Sequence, residues 1–165
     1  MAAANDPDTA MAQSLYEKRF GFLVSDIARL SGTQFDRLAR HRIELSRAQC
    51  RVALYLCTFG AMNQAQLAEL LEVTPMTVAR MLDRMQEGGW VVRVQDPNDR
   101  RAFHVLATPK AERALSDALP LGDEVAEIAL AGLSAAERDT LIAMLRKIRG
   151  NLAAAVAAGA GAADA

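Results

Sequence analysis

Four arginines have the type and spacing to do chemistry. Arg80 and Arg84 stand one helical turn apart, and Arg100 and Arg101 close the run DPNDRR. A guanidinium presents a planar fork of donors that fits a phosphate or the edge of a guanine. Just ahead of the first pair, Thr74, Met76 and Thr77 are short or apolar side chains, and Thr77 can reach a phosphate or a thymine methyl. Residues 74–113 carry seven bases against five acids in a chain whose net charge is -1. The positive charge is therefore local, and a nucleic-acid contact has to come from this patch. Other chemistries lack their residues. His41 and His104 are the only histidines, and neither has a Ser or Cys placed as a nucleophile beside a base, so no enzyme is expected. Cys50 and Cys57, seven apart in an apolar run, fit neither a disulfide framework nor a zinc site. Both read as small core hydrophobes, and neither metal nor cofactor is expected.

The elements around the arginines can be read from caps and periodicity. Thr74-Pro75 is an N-cap with proline at the first helical position, and Val78, Met81, Leu82 and Met85 follow at helical spacing as far as Gly88-Gly89. That helix leaves Met76, Thr77, Arg80, Asp83 and Arg84 on its outward face. Before it, NQAQLAELL predicts a short helix with Leu67, Leu70 and Leu71 inward. Ala68 is small enough for a close crossing, and Leu67, Leu71, Val73, Val78 and Met81 clamp the pair into a helix-turn-helix. Glu72 occupies the turn position that usually holds glycine, at a cost of about 1 kcal/mol if it is left-handed. From Trp90 the period changes to two: WVVRVQ and AFHVLAT flank DPNDRR as a β-hairpin with a charged tip, a shape suited to the minor groove.

The flanks read as helices. Ser14 to Arg42 carries a stripe of Phe20, Leu23, Ile27 and Leu30, and Ser46 opens RAQCRVALYLCTF, expected to be the central buried helix. Thr108-Pro109 starts another helix, reaching to about Ala131 and kinked at Pro120. Ser134 and Glu137 form a capping box for a last helix with Leu141, Leu145, Ile148 and Leu152 on one seam. Two terminal seams of this kind favour a dimer interface through Leu23, Ile27, Leu141, Leu145, Ile148 and Leu152.

The chain has 165 residues, 52% hydrophobic and 5% aromatic, which suits one globular, mainly α domain and argues against an all-β sandwich. No apolar run is long enough to span a membrane and no signal peptide is apparent, so a cytoplasmic protein without a membrane partner is expected. The small-residue ends, 1–12 and 153–165, are expected to be disordered. Between them lies one domain, 13–152, made of a winged helix-turn-helix at 46–108 and dimerisation helices at 13–42 and 109–152.

The runs LSRAQCRVALYL, QAQLAELLEVTPMTVARMLDRMQEGGWVVRVQDPNDRRAFHVLAT and LSAAERDTLIAMLRKIRGNL together resemble the MarR (multiple-antibiotic-resistance) family of bacterial transcriptional regulators. The resemblance implies a homodimer that binds a pseudo-palindromic double-stranded DNA operator, most often as a repressor relieved by a small ligand. Its wing motif, Asp-any-Arg, falls on Asp99, Arg100 and Arg101, which implies that Arg101 enters the minor groove while Asp99 braces the wing. The usual Leu-Thr-x-x-Gly after the wing is here Ala107 to Ala111, a departure that alters how the next helix starts. The resemblance also implies an aromatic or anionic effector between the helical region and the winged part, where Arg37, His41 and Arg47 are the candidate ligands. Two other classes are carried beside this one: a winged module serving only protein-protein assembly, and a cysteine-based redox sensor. Peroxide-sensing relatives carry a cysteine in the first helix, and this chain has none there.

Overall fold

The computed structural model describes residues 16–96 and 102–163. Helix α1 (Phe20–Ala39) is followed by α2 (Arg47–Phe59), β1 (Met62–Asn63), α3 (Gln64–Leu71) and α4 (Pro75–Glu87). Strands β2 (Val91–Gln95) and β3 (Phe103–Ala107) follow, then α5 (Pro109–Ala129) and α6 (Ala135–Ala163). This is the mainly α fold with a small β wing that the sequence predicts.

Polar side chains set the helix starts. Ser46 and Gln49 form a reciprocal capping box on α2, Asn63 and Gln66 form another on α3, and the Thr74 hydroxyl accepts from Thr77 N at 3.2 Å on α4. Ser134 and Glu137 do the same before α6, where the Ser134 hydrogen bonds hold the Glu137 carboxyl below its ordinary range. Helix α4 seats Val78, Met81, Leu82 and Met85 in a core with Leu67, Ala68 and Leu71 of α3, Val52 and Leu56 of α2, and Val91 and Val105 of the sheet. Ala68 is buried in this core. A second core joins Leu45, Cys50 and Ala53 to Ala111 and Ala118 of α5.

The sheet has a strand the periodicity does not show. β1 pairs antiparallel with β3, Met62 opposite Val105 and Asn63 opposite His104, so the order is β1-β3-β2. Two residues are too few to carry a period, which is why Met62–Asn63 reads as loop.

Several expectations need correction. Helix α1 spans Phe20–Ala39 and ends short of Arg42, because His41 takes φ 65 in the turn that follows; the expected start at Ser14 lies outside the described residues. Leu70 and Val73 are exposed rather than clamped: Leu67, Ala68 and Leu71 share the inward face of α3, and Val73 follows the left-handed residue that ends it. Helix α2 is not buried all round, since Leu54, Cys57 and Phe59 are exposed. Cys57 is therefore not a core residue. Helix α5 ends at Ala129, slightly short of Ala131, and contains Pro120 between buried Ala118 and Leu121. The disordered tail expected at 153–165 is instead helical to Ala163, because alanine has the highest helix propensity and extends a helix already capped at Ser134.

Contacts divide the chain into a unit ending at Ala126 and another beginning at Glu127. Within the second, Arg138 donates to both Glu127 oxygens at 2.8 Å and to the Leu130 carbonyl at 3.2 Å, fixing the turn before α6. Among the described residues no helix is long and apolar enough to cross a membrane.

Glu72 adopts φ 56, ψ 42, the left-handed conformation, and its N–H closes α3 onto the Glu69 carbonyl at 3.1 Å. Glu72→Gly is expected to stabilise the fold by about 1 kcal/mol by removing the Cβ penalty there. A thermal melt checks it: a melting temperature that does not rise contradicts a strained turn.

Candidate nucleic-acid interface

The outward face of α4 follows from its inward one. With Val78, Met81, Leu82 and Met85 buried, Met76, Thr77, Arg80, Asp83 and Arg84 face solvent, and Met76 is 62% exposed. Arg80 and Arg84 make no hydrogen bond or ion pair among the described residues, so their guanidinium donors are available. Thr74 and Thr77 differ in this respect. Their hydroxyls are bonded to each other at 2.9 Å, which locks the first turn of α4. Gln64 Nε2 donates to the Pro75 carbonyl at 3.2 Å and ties that turn to the start of α3.

The hairpin root is braced by groups the sequence reading did not assign. Arg93 lies on the inner face of β2, in register with Val105, and reaches back to α4: Nη2 donates to Asp83 Oδ1 at 2.6 Å and Nη1 to Gln86 Oε1 at 3.0 Å. Asp83 therefore serves this brace rather than the open surface. An inward arginine at one alternating position of a strand, beside a helix with an outward acid, is the signal that could have shown it. A second pair, His104 Nε2 and Asp96 Oδ2 at 2.6 Å, joins β3 to the end of β2. The wing tip itself, with Asp99, Arg100 and Arg101, lies outside the described residues.

The link from wing to α5 is also built from side chains. Thr108 Oγ1 donates to the Gly89 carbonyl at 2.7 Å and accepts from Ala111 N at 3.3 Å, while Ala111 is fully buried. This is how the helix starts without the glycine usual at that place. Lys110 Nζ donates to the Gly88 carbonyl at 2.8 Å and stands 4.4 Å from the centre of the Trp90 ring, a cation-π contact.

Away from this face, α1, α2 and α5 line an open pocket of about 330 Å³ with apolar walls that include Phe35, Cys50, Leu54, Leu115 and Val125. Of the three candidate effector ligands, Arg47 lines it and Arg37 and His41 do not. The reason is geometric: Ser31, Gly32 and Phe35 share the wall-forming face of α1, Arg37 projects about 200° round the helix from Phe35, and His41 lies beyond the helix end. Arg51 also borders the cavity, but its Nη2 donates to the Leu70 carbonyl and the Tyr55 hydroxyl, both at 3.1 Å. The candidate dimer residues Leu23, Ile27, Leu145 and Leu152 are exposed in this single chain, and Leu141 and Ile148 are partly buried.

Comparison with known proteins bears on all of this. The MarR family model matches residues 45–103. The chain is 34% identical over 105 residues to the transcriptional regulator HosA of Escherichia coli, covering 64% of this chain and 78% of that one. The chain belongs to the MarR family. It is a transcriptional regulator of that family and not an enzyme. A crystal structure of MarR matches with a TM-score of 0.74 and 25% identity, over 82% of this chain and 91% of that one. A cysteine-to-serine mutant of Escherichia coli MarR complexed with operator DNA matches with a TM-score of 0.65 and 25% identity, over 78% and 91%. Bordetella bronchiseptica BpsR, a protein whose DNA binding is regulated by 6-hydroxynicotinic acid, shares the fold with a TM-score of 0.66 and 23% identity, over 80% and 94%.

The thiols of this family member are poor nucleophiles. Burial pushes Cys50 from 9.0 to about 11, and burial together with the nearby Glu112 carboxylate raises Cys57 as well. The thiolate is the reactive form, so both are protonated at neutral pH. The Cys50 contribution to stability is complete below pH 9 and is lost as pH rises from 9 to 11, since the folded thiol holds its proton longer. A disulfide reagent at pH 7 is expected to label the native protein slowly and at Cys57 alone, with the rate climbing as pH rises. Rapid labelling of both thiols at pH 7 contradicts these environments.

Proposed function

We propose that this regulator is a homodimer that binds a pseudo-palindromic double-stranded operator and represses transcription until a small molecule releases it. The observation that carries the reading is the outward face of α4, where Arg80 and Arg84 are unpaired among the described residues on a helix whose start is capped and whose last turns are held by Arg93. In this reading Thr74, Met76, Thr77, Arg80 and Arg84 meet the major groove, and Arg100 and Arg101 meet the minor groove, with Asp99 steadying the tip. Residues 46–108 form the winged DNA-binding part, and 13–42 with 109–152 form the dimerisation helices. The operator complex of the matched Escherichia coli protein supports the DNA partner.

The effector belongs to the apolar cavity. A molecule that prefers one spacing of the two recognition helices shifts the dimer to it, and operator binding needs them about one DNA turn, roughly 34 Å, apart. An aromatic molecule suits the walls and an anionic group suits Arg47. The raised thiol pKa values favour this reading over redox sensing.

Arg101→Ala is expected to weaken DNA binding with a shallower salt slope. Arg80→Ala is expected to weaken it and also to relax base preference at one position per half-site, at a cost of about 1–3 kcal/mol. Band-shift titrations across salt concentrations check both, and two variants that bind like wild type sink the assignment. Binding insensitive to salt points instead to a protein-assembly module.

The dimer is tested separately. Leu23, Ile27, Leu145 and Leu152 leave apolar surface that one chain does not cover. The protein, 17.8 kDa per chain, is expected to sediment at twice that mass, and Leu145→Asp is expected to break the dimer. A wild-type monomer at micromolar concentration contradicts the proposal.

A further inference from the structure

The first turn of α4 shares a face with Arg80 and Arg84 but offers a different chemistry. At about 100° per residue, Met76, Thr77, Arg80 and Arg84 fall within roughly 100° of arc, so a surface that meets the guanidinium groups also meets Met76 and Thr77. Met76 is 62% exposed, and Thr77 is exposed beside it.

The polar groups of this turn are spent on one another. Thr77 Oγ1 lies 2.9 Å from Thr74 Oγ1, and Thr77 N donates to the same Thr74 oxygen at 3.2 Å. The hydroxyl branch of Thr77 is thereby drawn back toward the helix start, and its Cγ2 methyl is the uncommitted branch. Pro75 has no N–H, and its carbonyl accepts from Gln64 Nε2 at 3.2 Å. A phosphate held at a helix start needs free N–H donors, and here proline removes one and Thr74 takes another. The turn is poor at holding a phosphate and keeps a thioether and a methyl for contact. Among the groups that bases present in the major groove, the apolar one is the C5 methyl of thymine.

We propose that Met76 and the Thr77 methyl read thymine through its C5 methyl, so that this turn carries sequence preference by packing rather than by hydrogen bonding. The inference rests on the DNA reading above and makes it specific: Arg80 and Arg84 supply the hydrogen bonds, and a thymine of each half-site lies against the start of α4. 5-Methylcytosine presents a methyl at the same place in the groove. The same turn therefore prefers it to cytosine.

The test starts with selection of a bound sequence from random duplex DNA by the full chain. Band-shift titrations then replace each thymine of the selected duplex in turn by deoxyuridine, which removes only the methyl. Wild type is expected to bind about fourfold more weakly when the contacted thymine of one half-site loses its methyl, the factor that burial of one such group supports. With cytosine placed at that position, 5-methylcytosine is expected to bind more tightly by a similar factor. Thr77→Ser keeps the hydroxyl for Thr74 and removes the methyl; combined with Met76→Ala, it is expected to abolish the deoxyuridine penalty while the slope of affinity against salt holds. Thr77→Val keeps the methyl and removes the hydroxyl, and is expected to retain the penalty. If wild type shows no penalty at any thymine, if 5-methylcytosine binds no better than cytosine, if the double variant keeps the penalty or if Thr77→Val loses it, the inference is wrong and the DNA reading stands. If selection returns no sequence, the sequence-specific DNA reading fails and takes the inference with it.

Discussion

Everything on the candidate DNA face depends on how α4 is wedged into the core. Val78, Leu82 and Met85 are fully buried and Met81 nearly so, against partners from α2, α3 and the sheet. Close-packed interiors tolerate little rotation of such a helix, because turning it by one residue would swing a buried methionine out and an arginine in. The exposed positions of Arg80 and Arg84 follow from that wedge. Charge on the surface is then free to be selected for contact, while the packing beneath keeps the geometry.

The wing is held by a different kind of interaction. Its strands are short, and an isolated two-stranded hairpin is marginal in water. Here β1 adds a third strand, Arg93 reaches Asp83 and Gln86, and His104 reaches Asp96. These are partly exposed pairs that contribute modestly to stability. Their effect is angular: the wing root is tied to the same helix that carries Arg80 and Arg84, so the two parts of the proposed DNA face move together.

Long amphipathic elements were readable from the sequence, and short or relational ones were not. The caps at Ser46, Thr74 and Ser134 mark helix starts because a side-chain oxygen three residues before a free N–H is a local fact. The buried face of α4 is visible for the same reason, since a period of 3.6 survives in 13 residues. β1 is invisible because its two residues are strand only by virtue of β3, more than 40 residues away. Leu70 and Val73 look like core by type, yet the turn at Glu72 decides where they face. The alanine-rich end is low in complexity and reads as disorder, although alanine is also the strongest helix former. At the cavity, the sequence places three cations near the α1–α2 junction but cannot say that only Arg47 points to the wall. The Arg93 brace needed both the strand register and the crossing of β2 with α4, neither of which is written locally.

Trp90, the sole tryptophan of the chain, occupies the junction where α4 ends, β2 begins and α5 is fastened. Its ring lies over Gly88 and under the Lys110 ammonium, it packs against both hydrophobic clusters, and its backbone carbonyl accepts from Thr108 N at 3.0 Å. A change of angle between α4, the wing strands and α5 alters the charge and the packing around this one indole. The emission of a single intrinsic fluorophore therefore reports on the joint where α4, β2 and α5 meet, with no label attached and no competing tryptophan signal.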